Sequence, residues 1–157
     1  MAGVKVYGLP APKGSLHCVG RRACTKCGAP VAHQLVEDDS TGKGKTWRAV
    51  LETAGVALKK AHGGTITGPV SVDVTFVLPA PKTMPKGRLW PSVKPDVDKL
   101  ARMLLDALTS SHVITDDARV VELTARKCYP CDACLPRPGA IVAITVLDAP
   151  TGTPALI

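Results

Sequence analysis

The sequence predicts an α/β (α+β) fold in which one mixed β-sheet is packed by two main helices, with a small cysteine-bearing addition. Three observations carry that prediction. Val70, Val72, Val74, Phe76 and Leu78 alternate strictly with more polar residues, the signature of a half-buried strand. Two segments, one before and one after that strand, repeat apolar residues at helical spacing. The resulting order β, α, β, α, β, β calls for a sheet with helices laid on it. At 157 residues the chain fits a single domain, 1–157.

In chain order, residues 3–9 alternate weakly through Val4 and Val6 and read as a first strand ending at Pro10. Residues 11–45 are a polar, Gly- and Lys-rich excursion carrying three cysteines. From Thr46, read as an N-cap, Trp47, Val50, Leu51, Ala54, Ala57, Leu58 and Ala61 mark a helix that Gly63-Gly64 ends. The clear strand spans 69–78, and a proline-rich loop without periodicity runs from Pro79 to Pro95. A second helix, 97–110, gathers Leu100, Met103, Leu104, Ala107 and Leu108 on one broad face and Asp98, Arg102 and Asp106 opposite, with Lys99 at the margin. Residues 119–128 and 140–147 read as two final strands. With only five aromatic side chains, the core must be built from Val, Leu, Ile and Ala.

Composition narrows the function classes. No run approaches the about 18 consecutive apolar residues of a membrane-spanning helix. The N-terminal residues lack the apolar core and cleavage site of a secretory signal, so the expected setting is soluble and cytoplasmic. Twenty Lys and Arg against thirteen Asp and Glu give a net charge of +7 and an isoelectric point near 9.3. Residues 1–63 hold ten basic and four acidic side chains, so most of the excess lies there. A polyanionic partner, nucleic acid first, suits that balance. Lys13 and the loop cations Lys82, Lys86, Arg88 and Lys94 are the expected phosphate contacts.

Against that basic background, five aspartates fall within 22 residues: Asp96, Asp98, Asp106, Asp116 and Asp117. Singly, each has an ordinary explanation. Asp96 would serve as an N-cap, Asp98 would favour the helix dipole, and Asp116-Asp117 would make a turn. Gathered around one helix, unpaired carboxylates repel one another, and such groups commonly hold a hard divalent cation. Mg²⁺ typically takes one or two carboxylates, with waters and substrate phosphates completing its shell. Lys94, Lys99 and Arg102 are interleaved with these acids. Metal plus Lys or Arg supplies the activated water and the charge neutralisation that phosphodiester hydrolysis needs.

Residues 94–127, KPDVDKLARMLLDALTSSHVITDDARVVELTARK, resemble the core of the RusA family of Holliday junction resolvases, and GLPAPKGS at 8–15 is similar to that family's first strand and turn. The resemblance covers most of the chain outside 16–45 and 128–138, which read as insertions. It implies Mg²⁺-dependent cleavage of four-way DNA junctions by a homodimer. It also implies that Asp96, Asp98 and Asp117 bind the metal, with Asp116 as an additional candidate. The family's essential lysine falls on Arg102, a departure, since Arg stabilises phosphate charge but cannot act as a general acid near neutral pH. Lys99 is the other candidate for the cationic role. The alternatives are a nuclease of the same chemistry acting on flaps or other branched DNA, and a non-catalytic zinc-containing nucleic-acid-binding protein.

Six cysteines in 157 residues are too few for a disulfide scaffold and read as metal ligands. Cys24-x-x-Cys27-Gly28 has zinc-knuckle spacing, and Cys131-x-x-Cys134 lies in the turn between the last two strands. Together they predict a closed structural Zn²⁺ site of four thiolates. Cys128-x-x-Cys131 is an alternative pairing, and Cys18 is left over. Two other motifs fail. The P-C-x-x-C at 130–134 lacks the upstream H-x-E or C-x-E of a zinc deaminase. Gly44-Lys45-Thr46 ends like a P-loop, but Asp39 stands where its first glycine should be.

Overall fold

The computed structural model describes residues 2–14, 16–37, 42–83 and 89–147. In chain order the elements are β1 (Ala2–Tyr7), β2 (Leu16–Ala23), β3 (Pro30–Glu37), α1 (Lys43–Ala61), β4 (Val70–Val77), α2 (Val97–Ser110), a 3₁₀ turn (Asp117–Arg119), β5 (Val120–Cys128) and β6 (Gly139–Val146). Four strands form the main sheet in the order β1-β6-β4-β5. β4 runs parallel to β5 and antiparallel to β6, and β1 closes the other edge antiparallel to β6. The expected mixed sheet with two helices is what the chain forms.

The alternation in β4 explains its central place. Val70, Val72, Val74 and Phe76 are fully buried, while Ser71, Asp73 and Thr75 on the opposite face are half-buried. The buried side meets Trp47, Leu51 and Leu58 of α1, Leu100, Met103, Leu104, Ala107 and Leu108 of α2, and Ala140, Val142 and Ile144 of β6. Each large side chain removed from water contributes about 1.5–3 kcal/mol, so the apolar stripe of α2 holds that helix in one rotational setting.

Two elements differ from expectation. The excursion 11–45 contains the hairpin β2–β3, a two-stranded sheet of its own. Its register shifts between Cys18 and Arg21 and again between Arg22 and Ala23, and Gly20 adopts φ 131°. Those irregularities break the period-2 pattern by which a strand is recognised. Second, α1 begins at Lys43, not after Thr46. Gly42 occupies the N-cap in the left-handed region (φ 66°), and the Thr46 hydroxyl donates back to the Gly42 carbonyl at 3.2 Å. A glycine at φ > 0 makes that tight entry possible without steric cost.

Where α2 ends, His112 takes a left-handed conformation (φ 56°), and the N–H groups of His112 and Val113 bond the Thr109 and Leu108 carbonyls at 3.0 Å each. The chain then turns back through Ile114, bridged to Ile66, toward the 3₁₀ turn. The two helices approach closely here: a Cβ at Gly55 would overlap the Ser111 hydroxyl and meet Val113 Cγ2 at 3.3 Å. Gly55→Ala should therefore lower stability by about 1–3 kcal/mol through overpacking. Gly68→Ala, where an added Cβ meets nothing within 4 Å, should change it little. Urea unfolding of the two variants checks the contrast.

Candidate active site

The site is built outward from the polar face of α2. The segment entering the helix is held by Lys127 of β5, whose Nζ donates to the Val93 carbonyl (3.0 Å) and the Pro95 carbonyl (2.9 Å). Asp96 occupies the N-cap in extended conformation, but its carboxylate makes no capping hydrogen bond. Capping is thus removed as its ordinary explanation, and the side chain is exposed. Asp98 lies exposed in the first turn, where the helix dipole favours a negative charge. Arg102 and Asp106 follow at four-residue steps, so Asp98 and Asp106 stand roughly 12 Å apart along the axis.

At the far end of this stripe, Lys13, Arg48, Asp106, Thr109, Ser110 and Asp117 line an open concavity of about 360 Å³. Besides Asp106 of α2, three separate parts of the chain deliver its charges. Lys13 follows the buried Pro10 and Ala11; its backbone N–H donates to the Lys99 carbonyl at 3.2 Å, and its ammonium pairs with Asp106. Arg48 of α1 is oriented by Glu52 at 2.9 Å, and Glu52 also accepts from the Ser110 hydroxyl at 2.7 Å. Those bonds, Arg48's first, hold the Glu52 carboxyl below its ordinary pKa. Asp117 sits in the 3₁₀ turn, which Asp116 caps by accepting from the Ala118 N–H at 2.8 Å. Asp116 is therefore engaged in the turn, whereas Asp117 is exposed.

The structure thus brings Asp117 together with Asp106 and Lys13, and sets Asp96 and Asp98 together at the helix entry. Among the described residues, no three His, Cys, Asp or Glu side chains stand close enough to share a metal ion. Hard carboxylate oxygens from uncapped Asp96, Asp98 and Asp117 do fit Mg²⁺, which is satisfied by one or two protein carboxylates. Lys99 is half-buried at the stripe's margin and Arg102 is exposed on it. Lys82 and Lys94 are exposed in the loop before α2, while Lys86 and Arg88 lie outside the described residues.

Sequence reasoning missed Arg48 and Lys127. Arg48 and Glu52 are spaced i, i+4 on a polar helix face, which in sequence is indistinguishable from a solvated ion pair. Nothing local marks Lys127, whose partners lie more than thirty residues away.

Five of the six cysteines form two separate groups. At the β2–β3 turn, Gly28 N–H donates to the Cys24 carbonyl at 2.9 Å, and Cys24 N–H to the Ala29 carbonyl at 2.8 Å. Backbone N–H groups of Lys26 and then Cys27, with the Cys27 thiol, draw the Cys24 pKa down, which favours the thiolate that metals bind. In the β5–β6 connection, Cys131 and Cys134 are joined as a disulfide, and Cys128 Sγ lies 3.6 Å from Cys134 Sγ. Burial pushes the Cys128 thiol up. Among the described residues, neither C-x-x-C pair belongs to a group of three or more metal-ligating side chains.

The family model described as Endodeoxyribonuclease RusA matches residues 22–138. The chain belongs to the RusA family. Its members are endodeoxyribonucleases, hydrolases acting on DNA, and the matched range contains every carboxylate of the α2 stripe together with Asp117. The chain is also 43% identical over 75 residues to the Bacillus subtilis (strain 168) protein named "Uncharacterized protein YqaN", an alignment covering 41% of this chain and 51% of that one. It therefore spans about half the length of that relative.

Lys127→Met keeps the side-chain length and removes both bonds to the segment entering α2. At about 0.5–1.5 kcal/mol per hydrogen bond, amide exchange in residues 93–98 should accelerate roughly tenfold, while β6 keeps its protection. Hydrogen-exchange mass spectrometry reads both segments.

Proposed function

We propose that this RusA-family protein is a Mg²⁺-dependent, structure-selective endonuclease that resolves four-way (Holliday) junctions by paired symmetric nicks, in cytoplasmic DNA recombination and repair. The observation that carries the reading is the carboxylate–cation stripe of α2, where Asp96 is uncapped and Asp98 and Arg102 are exposed. A junction has two-fold symmetry, and a C₂ homodimer with two equivalent sites matches it directly.

In this reading Asp96, Asp98 and Asp117 hold the metal. When bound, Mg²⁺ supplies an activated water and neutralises charge on the scissile phosphate. Arg102, one turn beyond Asp98, offers its guanidinium to the non-bridging phosphate oxygens, and Lys99 supports it from the margin. Lys13, Lys82, Lys86, Arg88 and Lys94 grip the flanking backbone. The match to a family of endodeoxyribonucleases and the net charge of +7 support the assignment.

The test is incubation of a synthetic four-way junction with Mg²⁺ and then with EDTA. Symmetric paired nicks with Mg²⁺ alone are expected. Asp96→Asn, Asp98→Asn and Asp117→Asn should each lower cleavage by orders of magnitude while junction binding survives. Preferred cutting of a flap would move the protein to the branched-DNA nucleases, and metal-independent binding without cleavage would make it a non-catalytic binder.

We further propose one structural Zn²⁺ on Cys24, Cys27, Cys131 and Cys134. The lowered Cys24 pKa supports it, and reduction of the Cys131–Cys134 bond would supply the other two thiolates, with Cys128 as the competing ligand. Protein purified under reducing conditions without chelator should carry one zinc per chain by elemental analysis. Cys24→Ser should lose it and Cys18→Ser should not; absence of zinc would rule the site out.

A further inference from the structure

We infer that Lys13 is a catalytic residue of this nuclease, donating the proton that the leaving oxygen of the cleaved phosphodiester requires, and that Asp106 positions it. The inference rests on the nuclease reading above and goes beyond it, because it gives Lys13 a role in bond breaking as well as in phosphate grip.

The geometry points to Lys13 in four ways. Its ammonium is paired with Asp106, the last charged residue of the stripe that begins at Asp98. It lines the same open concavity as Asp117 and Arg48. Its backbone is pinned to α2 through the Lys99 carbonyl, behind the buried Pro10 and Ala11, so the side chain leaves a fixed point. About 30% of the side chain remains exposed, which leaves it accessible to a substrate.

Chemistry separates its role from those of the neighbouring cations. Breaking a P–O ester bond leaves an electron pair on an alkoxide, a poor leaving group unless it is protonated as it departs. Arg102 and Arg48 carry permanent charge but cannot give up a proton near neutral pH. Among the described residues lining the concavity, Lys13 is the one ammonium. In the step, a water oxygen bonds to phosphorus and releases its proton to solvent. The P–O ester bond breaks with its electrons going to the leaving oxygen. That oxygen takes a proton from the Lys13 ammonium, and the neutral amine regains one from solvent. Asp106 holds the ammonium in place throughout and touches no reacting atom.

Single-turnover cleavage at saturating enzyme tests this with two junctions, one with an ordinary scissile linkage and one with sulfur replacing the leaving oxygen. A thiolate departs without protonation, since thiols ionise near pH 8.5. Lys13→Ala and Lys13→Arg should each cut the ordinary junction about 10²–10⁴-fold more slowly, and the sulfur junction within a few-fold of the wild-type rate. Asp106→Asn should show a smaller loss with the same sulfur rescue. Circular dichroism of Lys13→Arg establishes that it is folded. Wild-type speed in Lys13→Arg on the ordinary junction would overturn the inference in favour of charge alone, and equal slowing on both junctions would overturn proton donation. Failure of the wild type to cut any branched DNA would instead overturn the nuclease reading, and this inference with it.

Discussion

Everything in the candidate site depends on the burial of one face of α2. Leu100, Met103, Leu104, Ala107 and Leu108 are each no more than 3% exposed, and they meet β4 and α1 in a core with few aromatic side chains. With that face committed to the core, helical geometry alone sends Asp98, Arg102 and Asp106 to the opposite side. A rotation that moved Asp98 away from solvent would also expose leucines, at about 1.5–3 kcal/mol each. The chemistry is therefore set by hydrophobic packing rather than by the polar contacts among the charged groups.

Those polar contacts do a different job. Lys13–Asp106 and Arg48–Glu52 are partly exposed pairs, and such pairs contribute on the order of 0–1 kcal/mol to stability. Their effect is orientation. Lys13 reaches α2 from a segment beyond β1, Arg48 from α1, and Asp117 from the turn before β5. Lys127 reaches from β5 to the carbonyls just before Asp96. Four separate pieces of chain are thus fastened around one helix by weak bonds that rely on the core for position.

The legible part of this molecule is the part with a period. β4, α1 and α2 announce themselves by alternation or by 3.6-residue spacing, and the aspartates stand out because five fall close together in sequence. The hairpin β2–β3 does not, because its bulged register and the left-handed Gly20 interrupt the alternation. The start of α1 is not legible because the sequence offers Thr46 as a cap, whereas a left-handed Gly42 makes the turn. Within the site, the gathering of Lys13, Arg48 and Asp106 beside Asp117 is not legible in the sequence, because that concavity is assembled where the chain reverses after His112 and returns past the C-terminal half of α2. Arg48 and Lys127 left no local trace, since their partnerships are long-range or look like any surface pair.

We propose that the outer face of α2 and the neighbouring 3₁₀ turn form the site of a hard divalent cation. Titration of isotope-labelled protein with substoichiometric Mn²⁺, a paramagnetic substitute for Mg²⁺, tests it residue by residue through the broadening of amide resonances. Signals of residues 95–99 and 116–118 should broaden first and recover when excess Mg²⁺ is added, while those of 24–28 at the β2–β3 turn stay sharp. Early broadening confined to other parts of the chain, with α2 unaffected, would contradict the account.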